Sequence, residues 1–247
     1  MDGDAILQRM LATYASCRSY RDIGEVHEVL TSGDEPPQVW KLRKPFQTGF
    51  VRPLSFVFEC FVDALSERAD RKPYVVWSNE RGARSWPNRG RAAVAVHTHA
   101  SLEEPLALAA GPSGGSSATV PSMLLGLASR WTRGDVRFDL EAVDDIDGRA
   151  CHRLQSARFG PAELMWIDCE RHVLVRRYLR LHSSPEASRR QRAAALADPS
   201  LPADLRRDLE QSASSPEPSL TTETTTYYRP ELDVEIEAGA FDVRPPE

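Results

Sequence analysis

Residues 221–230 read TTETTTYYRP and are the clearest indication of a strand in this chain. They follow a segment rich in Arg, Ala, Ser and Pro, whereas threonine and tyrosine are strong strand formers. Side chains alternate along a strand, which predicts one face with Thr222, Thr224, Thr226 and Tyr228 and another with Thr221, Glu223, Thr225 and Tyr227. Pro230 ends the strand because proline has no amide proton for a sheet. The stretch predicts a late strand of an antiparallel sheet with one moderately polar face.

Alternating segments earlier in the chain predict the other strands of this sheet. They are residues 19–30, 39–51, 54–62, 74–86, 136–157 and 161–181. Three of them read as hairpins, with turns at NERG, IDGR and DCER, and Gly82 is expected to take a positive φ in the first turn. Together the pattern predicts about ten strands in one curved antiparallel sheet.

Three helical patterns accompany the strands. Residues 5–17 form an amphipathic helix with Asp4 as the expected N-cap. Residues 102–111 and 122–131 predict two short apolar helices that are joined by a glycine-rich loop and need an apolar surface to cover. The fold class is therefore α+β, a single domain over residues 1–247, in which the first helix and two lid helices cover a strongly curved antiparallel sheet. Residues 185–218 read as a charged, partly helical insertion.

Composition excludes several classes of protein. The chain has 247 residues, 41% of them hydrophobic, and its 31 basic and 36 acidic side chains give a net charge of −5, which disfavours nucleic acid as a partner. It has no apolar run of about 18 residues, and its start, MDGDAILQRM, lacks the basic and apolar regions of a signal peptide. We expect a monomer that does not span a membrane.

Several motifs resemble a known family. RPLSFVFE at residues 52–59, followed by YVVWSNERGARSW at 74–86, resembles a strand pair of the LolA-like superfamily of outer-membrane lipoprotein-sorting carriers. Residues 14–26, 113–121 and 221–243 resemble an uncharacterised bacterial branch of that superfamily. The resemblance implies an incomplete, strongly curved β-barrel with helices as a lid, and a hydrophobic cavity for the acyl chain of a lipid or lipoprotein. It also implies a periplasmic or extracytoplasmic location, with envelope proteins as further partners.

The residues expected to line such a cavity are apolar side chains of one strand parity and of the lid helices. They are Trp40, Leu42, Phe46, Phe56, Phe58, Val76, Leu106, Met123, Leu127 and Trp166. Arg52 is the candidate polar group at the rim, because a guanidinium binds an ester or carboxylate head group well, and an ion pair with Glu59 is its alternative. The same apolar residues equally suit a filled core. The chain would then be an interaction or sensor module that recognises a protein through a sheet edge or residues 185–218.

Other polar groups do not assemble into a recognisable catalytic or metal motif. His97 and His99 lack a nearby third ligand, so no metal site is predicted. The serines Ser113, Ser116 and Ser117 lie in a loop without a P-loop or nucleophile-elbow pattern, and a serine hydrolase is the least favoured hypothesis. The loop reads as a hinge, and helix entry at Thr119 or Ser122 explains the hydroxyls as caps. Asp144, Asp145 and Asp147 read as a solvated turn. We therefore predict a protein that is not an enzyme and has no cofactor and no catalytic residue.

The four cysteines leave two interpretations open. Cys17 with Cys60, and Cys151 with Cys169, are potential disulfides in an oxidising compartment. The alternative is that each is a small buried apolar residue.

Overall fold

The computed structural model describes residues 2–61, 73–86, 95–129, 131–156, 162–197, 206–207, 210 and 219–243. The strands in these residues are β1 (Ser19–Ser32), β2 (Val39–Val51), β3 (Ser55–Cys60), β4 (Tyr74–Asn79), β5 (Gly82–Trp86), β6 (His97–His99), β7 (Phe138–Ile146), β8 (Arg149–Ser156), β9 (Ala162–Asp168), β10 (Leu174–Ser183), β11 (Leu220–Tyr227) and β12 (Glu231–Leu232). The α-helices are α1 (Gly3–Ser16), α2 (Glu103–Ala110), α3 (Val120–Leu124) and α4 (Pro185–Ala197). Two 3₁₀ turns lie at Ser116–Ala118 and Ala238–Phe241. Among these helices, none combines the length and the apolar character needed to cross a membrane.

All of these strands belong to one antiparallel sheet, as the sequence pattern predicts. The order is β6-β5-β4-β3-β2-β1-β11-β10-β9-β8-β7, and β12 adds to β1 beyond the end of β11. The pattern missed β6 and β12, which are too short to show alternation. The expected turn at Gly82 is confirmed by its φ of +94°.

The threonine-rich strand β11 lies next to the central strand β1 in this order. It pairs with β1 on one side, where Thr226 faces Val26, and with β10 on the other, where Thr226 faces Arg177. The predicted strand is confirmed, and its side chains Thr224 and Thr226 are buried. The strand therefore joins the two halves of the sheet.

The sheet curves strongly and stays open. Within the described residues, its terminal strands β6 and β7 do not pair with each other. The β7–β8 turn at Ile146 and Arg149 nevertheless lines the same cavity as Ile23 of β1. β8 and β1 are four positions apart in the order, about 19 Å on a flat sheet at roughly 4.8 Å per strand. Only a curved sheet brings them to one cavity.

Helix α1 lies across the sheet and is tied to it at both ends. Near its start, the Asp4 carboxylate accepts a hydrogen bond from Phe138 N at 3.0 Å, and near its end Tyr14 OH accepts one from Leu174 N at 3.0 Å. The predicted N-cap at Asp4 is wrong. Asp2 is the N-cap, because its side chain accepts a hydrogen bond from Asp4 N and the helix begins at Gly3.

The main core lies between the sheet and helices α1 to α3, and a smaller cluster lies on another part of the sheet. In the main core Tyr14 and Tyr20 meet edge to face, with ring centres 5.7 Å apart. The smaller cluster contains Val75, Trp77 and Trp86. All four cysteines are free, and Cys17, Cys60 and Cys151 are buried. The fold thus places its cysteines as buried or half-buried thiols.

Candidate functional site

A cavity of about 440 Å³ lies between the lid, residues 103–131, and strand β10. We call it the lid cavity. Its lining is Glu103, Leu106, Ala107, Gly115, Ala118, Thr119, Ser122, Leu127, Ala128, Ser129, Trp131, Arg177 and Leu179. The volume is in the range of small-molecule sites in proteins, about 300–1,000 Å³, and most of the lining side chains are apolar.

The serines of the glycine-rich loop build the turn between the lid helices. Ser113, Ser116 and Ser117 are almost fully buried. Ser117 Oγ donates to Leu106 O at 2.8 Å, Ser116 Oγ donates to Ser113 O at 2.9 Å, and Ser113 Oγ donates to Ser117 Oγ at 3.2 Å. These hydroxyls satisfy buried polar groups of the turn. They lack the contact to a histidine that an activated serine nucleophile needs, since their hydrogen bonds in the described residues go to each other and to main-chain carbonyls.

The lid helix α3 does not use the predicted serine or threonine caps. Thr119 occupies its N-cap position without a side-chain capping hydrogen bond. Thr119 Oγ1 instead donates to Gly115 O at 2.8 Å and accepts from Arg177 Nη1 at 3.1 Å. The threonine therefore joins the lid to the sheet, a role that the local sequence does not reveal.

Arg177 is the cationic group in the wall of the lid cavity, which also contains Glu103. Its Nε lies 2.7 Å from Glu163 Oε1, and Glu163 is completely buried. Its guanidinium carbon lies 5.2 Å from the centre of the Trp131 ring, a cation–π arrangement. Arg177 therefore links β9, β10 and two positions of the lid through contacts that combine charge, hydrogen bonding and stacking.

The structure divides the predicted lining residues among three locations. Leu106 and Leu127 line the lid cavity. Buried in the main core, and absent from the cavity wall, are Phe46, Phe56, Phe58, Val76 and Met123. Trp40 and Leu42 are half-buried near the start of β2.

Trp166 also belongs to the main core cluster. Met165 pairs with Arg177 across β9 and β10, and Trp166 is the next residue along β9. The two side chains therefore belong to opposite faces of the sheet. The Trp166 ring stacks with Arg176 at 5.5 Å, and its Nε1 donates to Asp144 Oδ2 at 2.8 Å. Ligand contact by all ten residues stays a prediction.

Sequence reasoning missed four residues that shape the lid cavity: Thr119, Trp131, Arg177 and Leu179. Trp131 belongs to the predicted lid, but nothing local shows that its ring meets an arginine. Arg177 and Leu179 lie on one face of β10, and the alternation of that strand indicates this from the sequence. Its use requires knowing which face of β10 the lid covers.

Arg52 is engaged by the helices above the sheet. Its guanidinium donates to Cys17 O at 2.8 Å, Ala15 O at 2.6 Å and Tyr14 O at 3.1 Å in α1, and to Leu124 O at 3.3 Å in α3. A cation beside carbonyls at a helix end is favourable because the helix dipole is negative there. The alternative ion pair does not form, since Glu59 accepts from Gln47.

The predicted histidine pair and acidic turn are engaged in ordinary polar contacts. His99 Nε2 lies 2.8 Å from Ser85 Oγ, and its Nδ1 lies 3.2 Å from Glu104. Asp144 accepts from Arg153 Nη1 at 3.0 Å as well as from Trp166. Within the described ranges, no three His, Cys, Asp or Glu side chains are grouped in a way that would hold a metal ion.

The buried thiols and phenols are held in their neutral forms. Burial raises the pKa of the Cys60 thiol to about 12 and that of Cys151 to about 11. Burial likewise raises the pKa of Tyr228 to about 12. A thiol with such a pKa is almost wholly protonated at neutral pH and is a poor nucleophile. The two cysteines are therefore inert packing residues.

Comparison with known proteins finds similar solved structures only at low identity. No family model matches the chain, and no curated protein matches it. LprF from Mycobacterium bovis is 12% identical with a TM-score of 0.38, and the match covers 95% of this chain and 94% of that one. A putative outer membrane lipoprotein-sorting protein domain from Vibrio parahaemolyticus is 10% identical, with a TM-score of 0.36 and coverage of 97% and 96%.

A LolA superfamily protein from Nitrosomonas europaea is also 10% identical, with a TM-score of 0.28 and coverage of 98% and 97%. The chain is thus similar to LolA superfamily and lipoprotein-sorting structures over most of its length and at low identity.

Proposed function

We propose that this chain is a non-enzymatic binding protein of the bacterial envelope that shelters a lipid or lipoprotein acyl group in the lid cavity. The observation that carries the proposal is the apolar cavity of about 440 Å³ between the lid and β10. An acyl chain needs little more than such a site, because each methylene moved out of water contributes roughly 0.8 kcal/mol.

The lining supports an apolar ligand with one polar end. Ala107, Ala118 and Ala128 have small side chains, which leave room between the lid and Leu179 of the sheet. The polar residues in the same wall are Glu103, Thr119, Ser122, Ser129 and Arg177. Of these, the guanidinium of Arg177 is suited to an ester or carboxylate oxygen. In this proposal the hydrocarbon lies against the alanines and leucines, and the oxygen atoms of the head group face Arg177.

The other parts of the proposal concern chemistry and location. The buried serines are used as structural hydrogen-bonding groups, and the buried Cys60 and Cys151 are protonated, which supports a role without catalysis. The periplasmic or extracytoplasmic location, the monomeric state and the envelope partners rest on the sequence resemblance of residues 52–59 and 74–86 to lipoprotein carriers.

A second candidate function is supported by the packing of the main core. Phe46, Phe56 and Phe58 are almost completely buried against other side chains, and Phe46 and Phe58 stack with ring centres 6.1 Å apart. This part of the concave face is already filled. A protein that recognises a partner through its surface, with the same fold and no lipid, would have such a core.

Uptake of a fluorescent fatty acid by the delipidated chain tests the first function. The informative variant is Ala107→Trp, because Ala107 lies in the cavity wall and the indole would occupy the cavity. The matched control is Leu108→Trp, which places the same side chain at the neighbouring position of α2, where 53% of the leucine is exposed. We expect Ala107→Trp to weaken uptake at least tenfold, and the control to bind as the parent chain does.

Native mass spectrometry of the purified chain, before and after organic extraction, is the second measurement. A bound mass of lipid size that is lost on extraction supports the proposal. Absence of both copurified lipid and fatty-acid uptake would overturn it and favour the interaction module. Equal uptake by the parent chain and both tryptophan variants would place acyl binding outside the lid cavity.

A further inference from the structure

A second and larger cavity, of about 720 Å³, lies at the bend of the chain between the end of β11 and the start of β12. We call it the arginine groove, after Arg149, Arg171 and Arg229 in its lining. These arginines come from three separate places in the chain: the start of β8, the β9–β10 turn and the bend between β11 and β12. The groove shares no lining residue with the lid cavity.

The arginines of the groove have unused hydrogen-bonding capacity. Arg171 Nη2 donates to Pro230 O at 2.9 Å, which holds this side chain against the bend. Within the part of the chain that the structure describes, no hydrogen bond or ion pair engages the guanidinium of Arg149 or Arg229. Each guanidinium carries five N–H donors and stays charged at any physiological pH, so these groups are available to an anion.

The acids in the lining do not neutralise these arginines. Glu25 pairs with Arg43 at 2.7 Å, and Glu231 pairs with Arg21, both of which lie outside the groove. Asp147 is the third acid in the wall. Asp22 lies outside the lining, and its carboxylate interacts electrostatically with Arg229. Counting these outer groups, five arginines are present against four carboxylates. The groove is therefore locally cationic in a chain whose net charge is −5.

The lining of the groove also contains apolar side chains. Ile23 lies in the wall with 61% of its surface exposed, although it is in the middle of strand β1. Pro45 of β2 and Val175 of β10 lie beside it in the lining. A large exposed aliphatic side chain next to free guanidinium groups is the arrangement that an amphiphile with a negative head group would contact.

The main chain at the bend is already paired, which argues against strand addition by a peptide. Tyr228 N donates to Val175 O at 3.0 Å, and Arg229 N donates to Asp22 Oδ1 at 2.7 Å. Pro230 has no amide proton, and its carbonyl accepts from Arg171. Recognition in the groove therefore depends on side chains. We propose that the arginine groove binds an anionic amphiphile, in which a phosphate or carboxylate on an apolar group faces Arg149, Arg171 and Arg229.

Calorimetric titration of the full chain with dihexanoyl phosphatidylglycerol, kept below its micellar concentration, tests this site. The titration is done in the Ala107→Trp background so that the lid cavity does not contribute. We expect the double variant Arg149→Gln/Arg229→Gln to weaken binding at least tenfold. Arg180→Gln is the matched control, because Arg180 is an exposed arginine of β10 outside the groove. Binding should also weaken between 50 and 300 mM NaCl, on the order expected for exposed charges.

Two further ligands and one further variant separate the parts of the proposal. Dihexanoyl phosphatidylcholine has the same chains without net charge and should bind at least tenfold more weakly, and inorganic phosphate should do the same because it lacks the apolar group. Ile23→Thr should reduce the affinity for the anionic lipid severalfold.

Equal affinity for the charged and zwitterionic lipids, or an unchanged affinity in the double arginine variant, would overturn the proposal. Equal binding of inorganic phosphate would also overturn it, since the site would then recognise the anion alone. Binding to phosphatidylglycerol vesicles without binding of the monomeric lipid would show a membrane-surface contact in place of a ligand groove. Because the lid cavity is blocked throughout, each of these results is independent of the proposed acyl-binding function.

Discussion

Lys44 and Glu28 form an ion pair inside the protein, with Lys44 Nζ 2.5 Å from Glu28 Oε2. Only 7% of the lysine side chain and 11% of the glutamate side chain are exposed. The pair lies on the lid-facing parity of β1 and β2, next to the glycine-rich turn at Gly114. Each charge is stabilised in this dry position mainly by the other, because removal from water is costly for an isolated ion.

Lys44→Met should therefore destabilise the protein by about 3–5 kcal/mol, since it leaves the Glu28 charge buried without its partner. The double variant Glu28→Leu/Lys44→Met should recover most of that loss because both charges are gone. Urea unfolding followed by circular dichroism measures the free energy of unfolding. Lys41→Met, at an exposed position of the same strand, is the control and should change it by less than about 0.5 kcal/mol. A double variant as unstable as Lys44→Met would contradict this account.

Gly114→Ala should lower the free energy of unfolding more than the same substitution at a turn glycine with open space around it. Gly114 has a φ of +60°, and an added Cβ would lie 2.8 Å from both Glu28 Oε1 and Val26 Cγ1. We expect a loss of about 2–3 kcal/mol in the free energy of unfolding, from backbone strain and the clash together. Gly126→Ala is the matched control, because Gly126 has a φ of +65° with no atom near the added Cβ. Its expected loss is about 1 kcal/mol, and equal losses would show that the clash contributes nothing.

Asp22 should make stability fall as pH rises from about 4 to about 6. Burial raises the pKa of Asp22 from 3.8 to about 6, although Arg229 N and Tyr20 OH donate to the carboxylate. In this window the folded state holds a proton that the unfolded state has released, so a rise in pH favours unfolding. The pKa shift corresponds to a loss of about 3 kcal/mol in the free energy of unfolding. This loss accumulates as pH rises to about 6 and stays constant above that pH.

Asp22→Asn resembles the protonated side chain and should remove this pH dependence. The free energy of unfolding is measured for the parent and the variant between pH 4 and pH 7.5. We expect the variant to gain stability relative to the parent as pH rises, and then to keep a constant difference above pH 6. Tyr20→Phe removes a donor to the carboxylate and should move the transition to higher pH. A difference between parent and Asp22→Asn that does not change with pH would refute the assignment.

Arg52→Leu should destabilise the protein by about 2–4 kcal/mol. It removes hydrogen bonds to three carbonyls at the end of α1 and to Leu124 O, and charged hydrogen bonds contribute more than neutral ones. Arg52→Lys should restore only part of the loss, because an ammonium cannot span several carbonyls as a planar guanidinium does. Arg18→Gln is the control, since the Arg18 side chain is 88% exposed. Thermal unfolding of all three variants measures the effect, and a full rescue by lysine would contradict the geometric argument.

Local periodicity accounts for the parts of the fold that were predicted correctly. The alternation of residues 221–230 predicted a strand with one moderately polar face, and the turn at Gly82 followed from the conformational freedom of glycine. The apolar helices of the lid were predicted because their side chains need a surface to cover. The N-cap of α1 was misplaced, because Asp2 and Asp4 both suit that position and only the contact of Asp4 with Phe138 distinguishes them.

The candidate sites were predicted less well, because they depend on contacts between distant segments. Two residues of the lid cavity, Leu106 and Leu127, were identified in advance, but Arg177 was not. Its role depends on Glu163 in the neighbouring strand and on Thr119 and Trp131 in the lid. A strand shows which side chains share a face, but its neighbours and the cover over that face are set by long-range pairing.

The α+β class, the strands and their turns, and the need for a lid follow from local sequence, because they depend on the spacing of apolar side chains and on turn residues. The place of β11 between β1 and β10 depends on long-range pairing, which brings Arg229 to Asp22 across 207 residues. The tertiary structure also decided that the guanidinium groups of three separate segments line one groove. The physical reason is that a curved sheet is specified by hydrogen bonds and packing between distant strands, and local alternation leaves their order open.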